Sequence, residues 1–295
     1  MASPPQLAAL LEEIRLAVDG ELDRWLPPAD ESPVRLHEAM RYAVFAGGKR
    51  LRPALAIVTA RGFGVPDRDV LPPAASLELV HTYSLIHDDL PCMDDDDLRR
   101  GLPTCHKKFG EAVAVLAGDA LLTLAFEVIA SFDANAGVRA ELGRVLARAA
   151  GSRGMVAGQV LDLEGEGAPP TASRVEAIHR RKTAALLGAS VVMGVVAARA
   201  DRDLWARYQA FGENLGLAFQ IVDDILDLEG TSEKLGKTPG KDVAQEKLTY
   251  PAAVGVEAAR LEARRLTEKA KGCIDGLPAQ DTLAAIAVRL LNRIA

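Results

Sequence analysis

Cysteine, aromatic side chains and long apolar runs are all scarce in this sequence of 295 residues. The three cysteines, Cys92, Cys105 and Cys273, lie far apart with no C-x-x-C pair. That spacing excludes a disulfide framework and a zinc knuckle, and it fits a reducing cytosol. No run of eighteen apolar residues occurs, so no membrane span is expected. The first leucines are followed by two glutamates and no basic segment precedes them, so neither a signal nor a transit peptide is expected. Positive charge is not in excess. A formal net charge of -6 and a pI near 5.5 argue against general nucleic-acid binding.

What the chain does have is apolar content of 49%, enough for one continuous core. It is rich in Ala and Leu, and its apolar residues recur mostly at three- and four-residue spacing rather than alternating. An all-α fold follows. The spacing predicts helices near 4–25, 33–46, 53–63, 69–90, 110–131, 138–164, 173–199, 202–228, 248–271 and 279–293. Ser32-Pro33 reads as an N-cap and first-turn proline, and Gly47-Gly48 as the end of the same helix. Ser173-x-x-Glu176 reads as a capping box. VVMGVV at 191–196 has strand character but lacks turn signals, so it is kept helical. No linker, low-complexity tract or short repeat divides the chain, and a single domain over 1–295 is expected.

Within this apolar background, LIHDDLPCMDDDDLRRG at 85–101 places six aspartates in ten positions ahead of an arginine pair. Asp88, Asp89 and Asp94 form D-D-x-x-x-x-D, and Pro91 interrupts the helix so that Asp94 can turn back towards the pair. In GLAFQIVDDILDLEG, Gln220, Asp223, Asp224 and Asp227 stand at i, i+3, i+4 and i+7, a stripe on one helix face. Carboxylates one turn apart repel unless a cation neutralises them. A solvated acidic face is the alternative for this stripe alone, and a charged loop is the alternative for most of Asp95, Asp96 and Asp97. Oxygen ligands without a nearby His/Cys set suit a hard cation such as Mg²⁺, which completes its shell with water and phosphate. Two such clusters predict a phosphorylated substrate bridged by metals.

The cations agree with that reading. GGKRLRP at 47–53 puts Lys49, Arg50 and Arg52 on a glycine turn leading into a helix, a geometry suited to anions. Arg99 and Arg100 follow the first cluster, Lys182-Thr183 lies in the long central segment, and Lys237, Lys241 and Lys247 follow the second cluster. Each alone reads as a solvated surface charge. Together they describe an anionic substrate held between metals and cations.

In these residues the chain resembles the trans-prenyl diphosphate synthases, the family that includes farnesyl and geranylgeranyl diphosphate synthases. The similarity covers nearly the whole chain and rests on GGKRLRP at 47–53, HTYSLIHDDLPCMDDDDLRRGLPT at 81–104, AGDALL at 117–122, RKTAALL at 181–187, GLAFQIVDDILD at 216–227 and GKTPGKD at 236–242. The resemblance implies helices around a deep central cavity, a cytoplasmic homodimer, and isopentenyl diphosphate and an allylic diphosphate as substrates. It implies three Mg²⁺ held by Asp88, Asp89, Asp94, Asp223, Asp224 and Asp227. Arg99, Lys182, Thr183, Gln220 and Lys237, with Lys247 as an addition, would contact the allylic substrate. Gly48, Lys49, Arg52, His81 and Arg100 would hold the diphosphate of isopentenyl diphosphate.

Tyr83 lies five residues before Asp88, roughly 7 to 8 Å along a helix axis, where a ring forms a floor for the growing hydrocarbon tail. That tyrosine and the two extra residues Pro91 and Cys92 look like the bacterial-type farnesyl synthases, whereas small Ser84 leaves room for a C20 product. Tyr83 as a simple core residue is the alternative. A P-loop at GKT 236–238 is rejected because its glycine spacing is wrong and the preceding segment is helical. The histidines form no recognisable metal set, which counts against a metal phosphohydrolase. An intact GGKRLRP and two intact aspartate motifs argue against a terpene cyclase or an inactive partner subunit.

Overall fold

The computed structural model describes residues 4–229 and 247–294. Apolar spacing builds the outer helices. In α1 (Pro4–Trp25), Leu7, Ile14, Val18 and Leu22 recur at seven and four residues, and this stripe is buried. Helices α2 (Val34–Phe45), α3 (Leu51–Gly62) and α4 (Leu71–Asp88) follow. A two-residue hairpin, β1 (Leu98–Arg99) with β2 (Leu102–Pro103), pairs Leu98 with Pro103 and Arg99 with Leu102. Then come α5 (Cys105–Phe109), α6 (Glu111–Ser131), α7 (Ala136–Ala150), α8 (Met155–Gly165) and α9 (Ala172–His179). A five-residue π-helical turn, Arg180–Ala184, leads without a break into α10 (Ala185–Ala197). The chain closes with α11 (Trp205–Glu229), α12 (Tyr250–Val254), α13 (Val256–Cys273) and α14 (Gln280–Leu291).

A helix that is apolar all round belongs inside, and α10 is buried from Leu186 through Val196. It packs against α3, α4, α7 and α11. The α10–α11 crossing is backbone to backbone, because a Cβ on Gly212 would lie 2.6 Å from the Gly188 Cα. By length and apolarity α6 could cross a membrane, yet it packs along α4 and α2 with Ala114, Ala117, Leu121, Ala125 and Val128 buried. That face is packed, while Val115 and Leu116 on the opposite side are exposed.

The all-α reading holds, apart from the small hairpin. Three long predicted segments are divided differently. The 138–164 segment breaks between α7 and α8, where a Cβ on Gly154 would lie 2.0 Å from the Ala149 carbonyl oxygen. The 248–271 segment breaks at Gly255, which caps α12 with φ of 84°. In 173–199 the path is continuous but carries the π-turn. Two caps are corrected. Pro33, not Ser32, occupies the N-cap of α2 with no side-chain bond. Thr171, not Ser173, caps α9, its hydroxyl accepting from the Arg174 N–H.

Candidate active site

The first acid cluster forms because α4 ends at Asp88, three residues before Pro91. The chain then folds back. The Asp94 N–H donates to the Asp88 carbonyl at 2.8 Å, and the Asp96 N–H to the Asp89 carbonyl at 3.2 Å. Asp88, Asp89 and Asp94 are thereby drawn onto one loop, while Asp95 and Asp97 are exposed. Arg99, from β1, donates through Nε (2.7 Å) and Nη2 (2.5 Å) to Asp89 Oδ1. Lys247 Nζ donates to Asp94 Oδ1 at 2.9 Å. Burial pushes the Asp88 carboxyl up to about 6, with Lys182 pulling the other way and Asp94 adding to the rise. Burial alone would raise Asp94 as well, but Lys182 and Lys247 outweigh it and hold that carboxyl below its ordinary value.

The second cluster lies along α11. Asp224 and Asp227 are buried and Asp223 is half-buried. Asp224 Oδ2 accepts the Tyr250 N–H at 2.8 Å and lies 3.4 Å from His179 Nε2, while its Oδ1 accepts from Gln220 at 3.2 Å. Asp223 Oδ1 accepts from Arg293 at 2.6 Å. One oxygen of Asp227 is buried with no hydrogen-bond partner among the described residues.

The π-turn joins the two clusters. Thr183 Oγ1 donates to Gln220 Oε1 at 2.8 Å, on the α11 stripe. The adjacent Lys182 acts on Asp88 and Asp94 of the first cluster and donates to Asp162 Oδ2 of α8 at 2.7 Å. Burial works against the Lys182 charge, but Asp162, Asp88 and Asp94 outweigh it and hold the ammonium above its ordinary value. The π-turn therefore sets a half-buried cation, Lys182, beside the first cluster and a hydroxyl, Thr183, against the helix that carries the second.

Beside them is a cavity of about 640 Å³ between α1, α3, α4, α11 and α14, lined by Gly48, Lys49, Arg52, His81 and Arg100 among others. Gly48 has φ of 143°, and a Cβ there would lie 2.9 Å from Arg100 Nη1, so glycine lets this guanidinium approach the turn. Arg50, grouped with the anion-binding cations by sequence, turns inward instead. Its guanidinium donates to Asp19 at 2.8 Å, Glu78 at 2.9 Å and the Val44 carbonyl at 2.7 Å. Burial, together with Arg52, Arg100 and Arg99, pushes His81 well below its ordinary value, so it is neutral at pH 7. Tyr83 is buried on α4, packs edge-on against His87 at 5.7 Å, and has its hydroxyl pushed up to about 12 by burial and Asp88. The Ser84 hydroxyl donates to the His81 carbonyl at 2.9 Å. Lys237 and Lys241 lie outside the described residues.

Sequence reading passed over Asp162, Gln159 and the two arginines of the last helical segment. Gln159 and Asp162 stand at i, i+3 in an otherwise apolar stretch of α8, and Gln159 Nε2 is buried without a hydrogen-bond partner among the described residues. A polar pair at helical spacing was the available signal. Arg289 and Arg293, at i, i+4 beside the C-terminus, carried no motif.

The polyprenyl synthetase profile matches residues 33–277. That match spans both acid clusters and the cationic turn. The chain belongs to the polyprenyl synthetase family. Among its relatives, the farnesyl diphosphate synthase of Geobacillus stearothermophilus is 50% identical over 253 residues, 85% of either chain. The chloroplastic geranylgeranyl pyrophosphate synthase of Catharanthus roseus is 50% identical over 244 residues, covering 81% of this chain and 68% of that one. The crystal structure of a Helicobacter pylori geranyltransferase, complexed with magnesium and isoprenyl diphosphate, superposes with a TM-score of 0.84 at 34% identity, covering 100% of this chain and 98% of that one. Polyprenyl synthetases with two different names are thus equally similar to this chain, and the family alone leaves product length open.

Proposed function

We propose that this protein joins isopentenyl diphosphate to dimethylallyl or geranyl diphosphate, 1'-4 and head to tail, and releases farnesyl diphosphate. The observation that carries this reading is the π-turn that sets Lys182 beside the first carboxylate cluster and Thr183 against Gln220 on the helix of the second, with a cationic cavity alongside. One subsite suits an allylic diphosphate bridged by metal, and the other suits a second diphosphate held by cations alone.

The donor set fits magnesium. It is all carboxylate oxygen, and Asp227 presents a buried oxygen without a hydrogen-bond partner among the described residues. No group of three Asp, Glu, His or Cys side chains among the described residues is placed to hold a metal by itself, so water and phosphate would have to complete the shell. Asp88, Asp89 and Asp94 on one side and Asp223, Asp224 and Asp227 on the other would hold three Mg²⁺. When bound, Mg²⁺ supplies charge that stabilises the departing diphosphate.

The chain's own residues do the rest. Arg99, Lys182 and Lys247, together with Lys237 outside the described residues, hold the allylic diphosphate, so negative charge developing as the C–O bond ionises meets cations. Thr183 and Gln220 place a hydroxyl and an amide beside the allylic carbon. Lys49, Arg52, His81 and Arg100, with the Gly48 turn, hold isopentenyl diphosphate so that its double bond attacks the cation, and the released diphosphate takes the proton. Tyr83 closes the tail pocket one and a half turns below Asp88. The working form is a single-domain, cytoplasmic homodimer. Val115 and Leu116 on α6 and Val156 and Val160 on α8 are exposed apolar residues of the kind a second copy covers.

Purified protein is incubated with Mg²⁺, isopentenyl diphosphate and, separately, C5, C10 or C15 allylic diphosphate, and the dephosphorylated alcohols are separated. Farnesol from C5 and C10 with C15 left unextended is expected. Geranylgeraniol would overturn Tyr83 as the floor, and no product from any primer would overturn the reading itself.

A further inference from the structure

We infer that Arg289, on the last helix, is a fourth cation for the diphosphate of isopentenyl diphosphate and belongs to its binding site, an assignment that rests on the function proposed above. Six cations line the cavity: Arg15, Lys49, Arg50, Arg52, Arg100 and Arg289. Two are committed elsewhere. Arg15 pairs with Glu12 and Asp19, and Arg50 with Asp19 and Glu78. The other four have no ion pair among the described residues. Three of those, Lys49, Arg52 and Arg100, are the cations that the family resemblance implies for this substrate; Arg289 is the remaining one.

The four repel one another across the cavity. Desolvation and the charges of Arg293 and Arg289 hold the Lys49 ammonium below its ordinary value, with only Asp223 pulling it up. Burial and Arg100 lower Arg52, whose Nε is buried without a hydrogen-bond partner among the described residues. Such a cluster is relieved by an anion of high charge density, and a diphosphate is one. Arg293, one turn on, differs because it is paired with Asp223 at 2.6 Å and so serves the metal side of the site. Arg289 reaches the cavity between Ile286 and Leu290, which also line it. The two neighbours anchor α14 by their burial, leaving the guanidinium exposed at the mouth. Placement at the mouth suits capture of substrate as well as holding it.

Steady-state kinetics on wild type, R289A, R289Q and R289K test this, with isopentenyl diphosphate varied at saturating geranyl diphosphate and then the reverse. Thermal melts check folding. R289A and R289Q are expected to raise KM for isopentenyl diphosphate about tenfold or more, the weight of one charge-assisted contact, with KM for geranyl diphosphate within about twofold of wild type. R289K recovers most of the loss. An unchanged KM, or an equal rise for both substrates, would overturn the assignment. Calorimetry with inorganic pyrophosphate and no metal gives a second readout. R289A should weaken its binding by a similar factor, and unchanged binding overturns the assignment. Wild-type protein that condenses no primer but loses pyrophosphate affinity in R289A would refute the proposed function and leave the Arg289 site standing.

Discussion

Replacing Asp88 by Asn should stabilise the protein while abolishing its activity. The folded-state carboxyl of Asp88 stands at about 6, against 3.8 for the ordinary group. Raising a carboxylate by about two units means its charge destabilises the fold by about 3 kcal/mol at pH 7. Between pH 3.8 and about 6 the folded state binds more protons than the unfolded state, so wild-type stability falls as pH rises through that window. The penalty is complete above it and absent below. Asparagine has nearly the same shape and no charge, so D88N escapes the penalty. In a chelating buffer at pH 7 to 8 its midpoint should exceed that of wild type by about 6 °C, at roughly 2 °C per kcal/mol for a chain of this size. The two melting curves should converge as pH falls towards 4. Added Mg²⁺ and pyrophosphate should reverse the order, because only wild type gains ligand stabilisation. A D88N midpoint below that of wild type at pH 7 in chelator, or a difference independent of pH, would refute the reasoning.

Other perturbations read other parts of the site. Tyr83→Ala should turn the main product from C15 to C20 or longer with kcat changed less than tenfold, seen by chromatography of the alcohols; an unchanged product would make Tyr83 a core residue only. Gly158→Ala places a Cβ 2.1 Å from the Lys182 backbone nitrogen, so it should cost about 1–3 kcal/mol in denaturant unfolding and lower kcat by displacing the π-turn. Asp162→Asn removes the partner that holds Lys182 Nζ at 2.7 Å. Asp88 and Asp94 still attract the ammonium, so stability should fall by only about 1–2 kcal/mol while KM for the allylic substrate rises severalfold; equal changes in both substrates' KM would place Asp162 outside the allylic side.

Most of the helical framework was legible because apolar spacing and glycine are local signals. The acid stripe on α11 was legible for the same reason: Gln220, Asp223, Asp224 and Asp227 share a face by spacing alone. Arg50 was not. It sits between two cations with identical local signals, and only its left-handed backbone, φ of 48°, turns it towards Asp19 and Glu78. Asp162 was missed because its meaning lies in Lys182, twenty residues on, and Arg289 because its neighbours in space come from the other end of the chain. The caps at Pro33 and Thr171 show the usual uncertainty of a residue or two where several polar residues compete at a helix start.

The π-turn at Arg180–Ala184 has the geometry of one residue added to an α-helix. Each residue of a regular helix turns the next by about 100°, so one extra residue offsets the faces of α9 and α10 by about that angle. The helix before the turn can face Leu248 with Val175 and Ile178, and the helix after it can bury every side, without either register dictating the other. Lys182 and Thr183 sit in the offset itself. Deleting a single residue there would restore ideal helical winding and swing both side chains, and everything that follows them, round the axis. The protein is therefore more exposed to a one-codon deletion at this turn than to most substitutions within it.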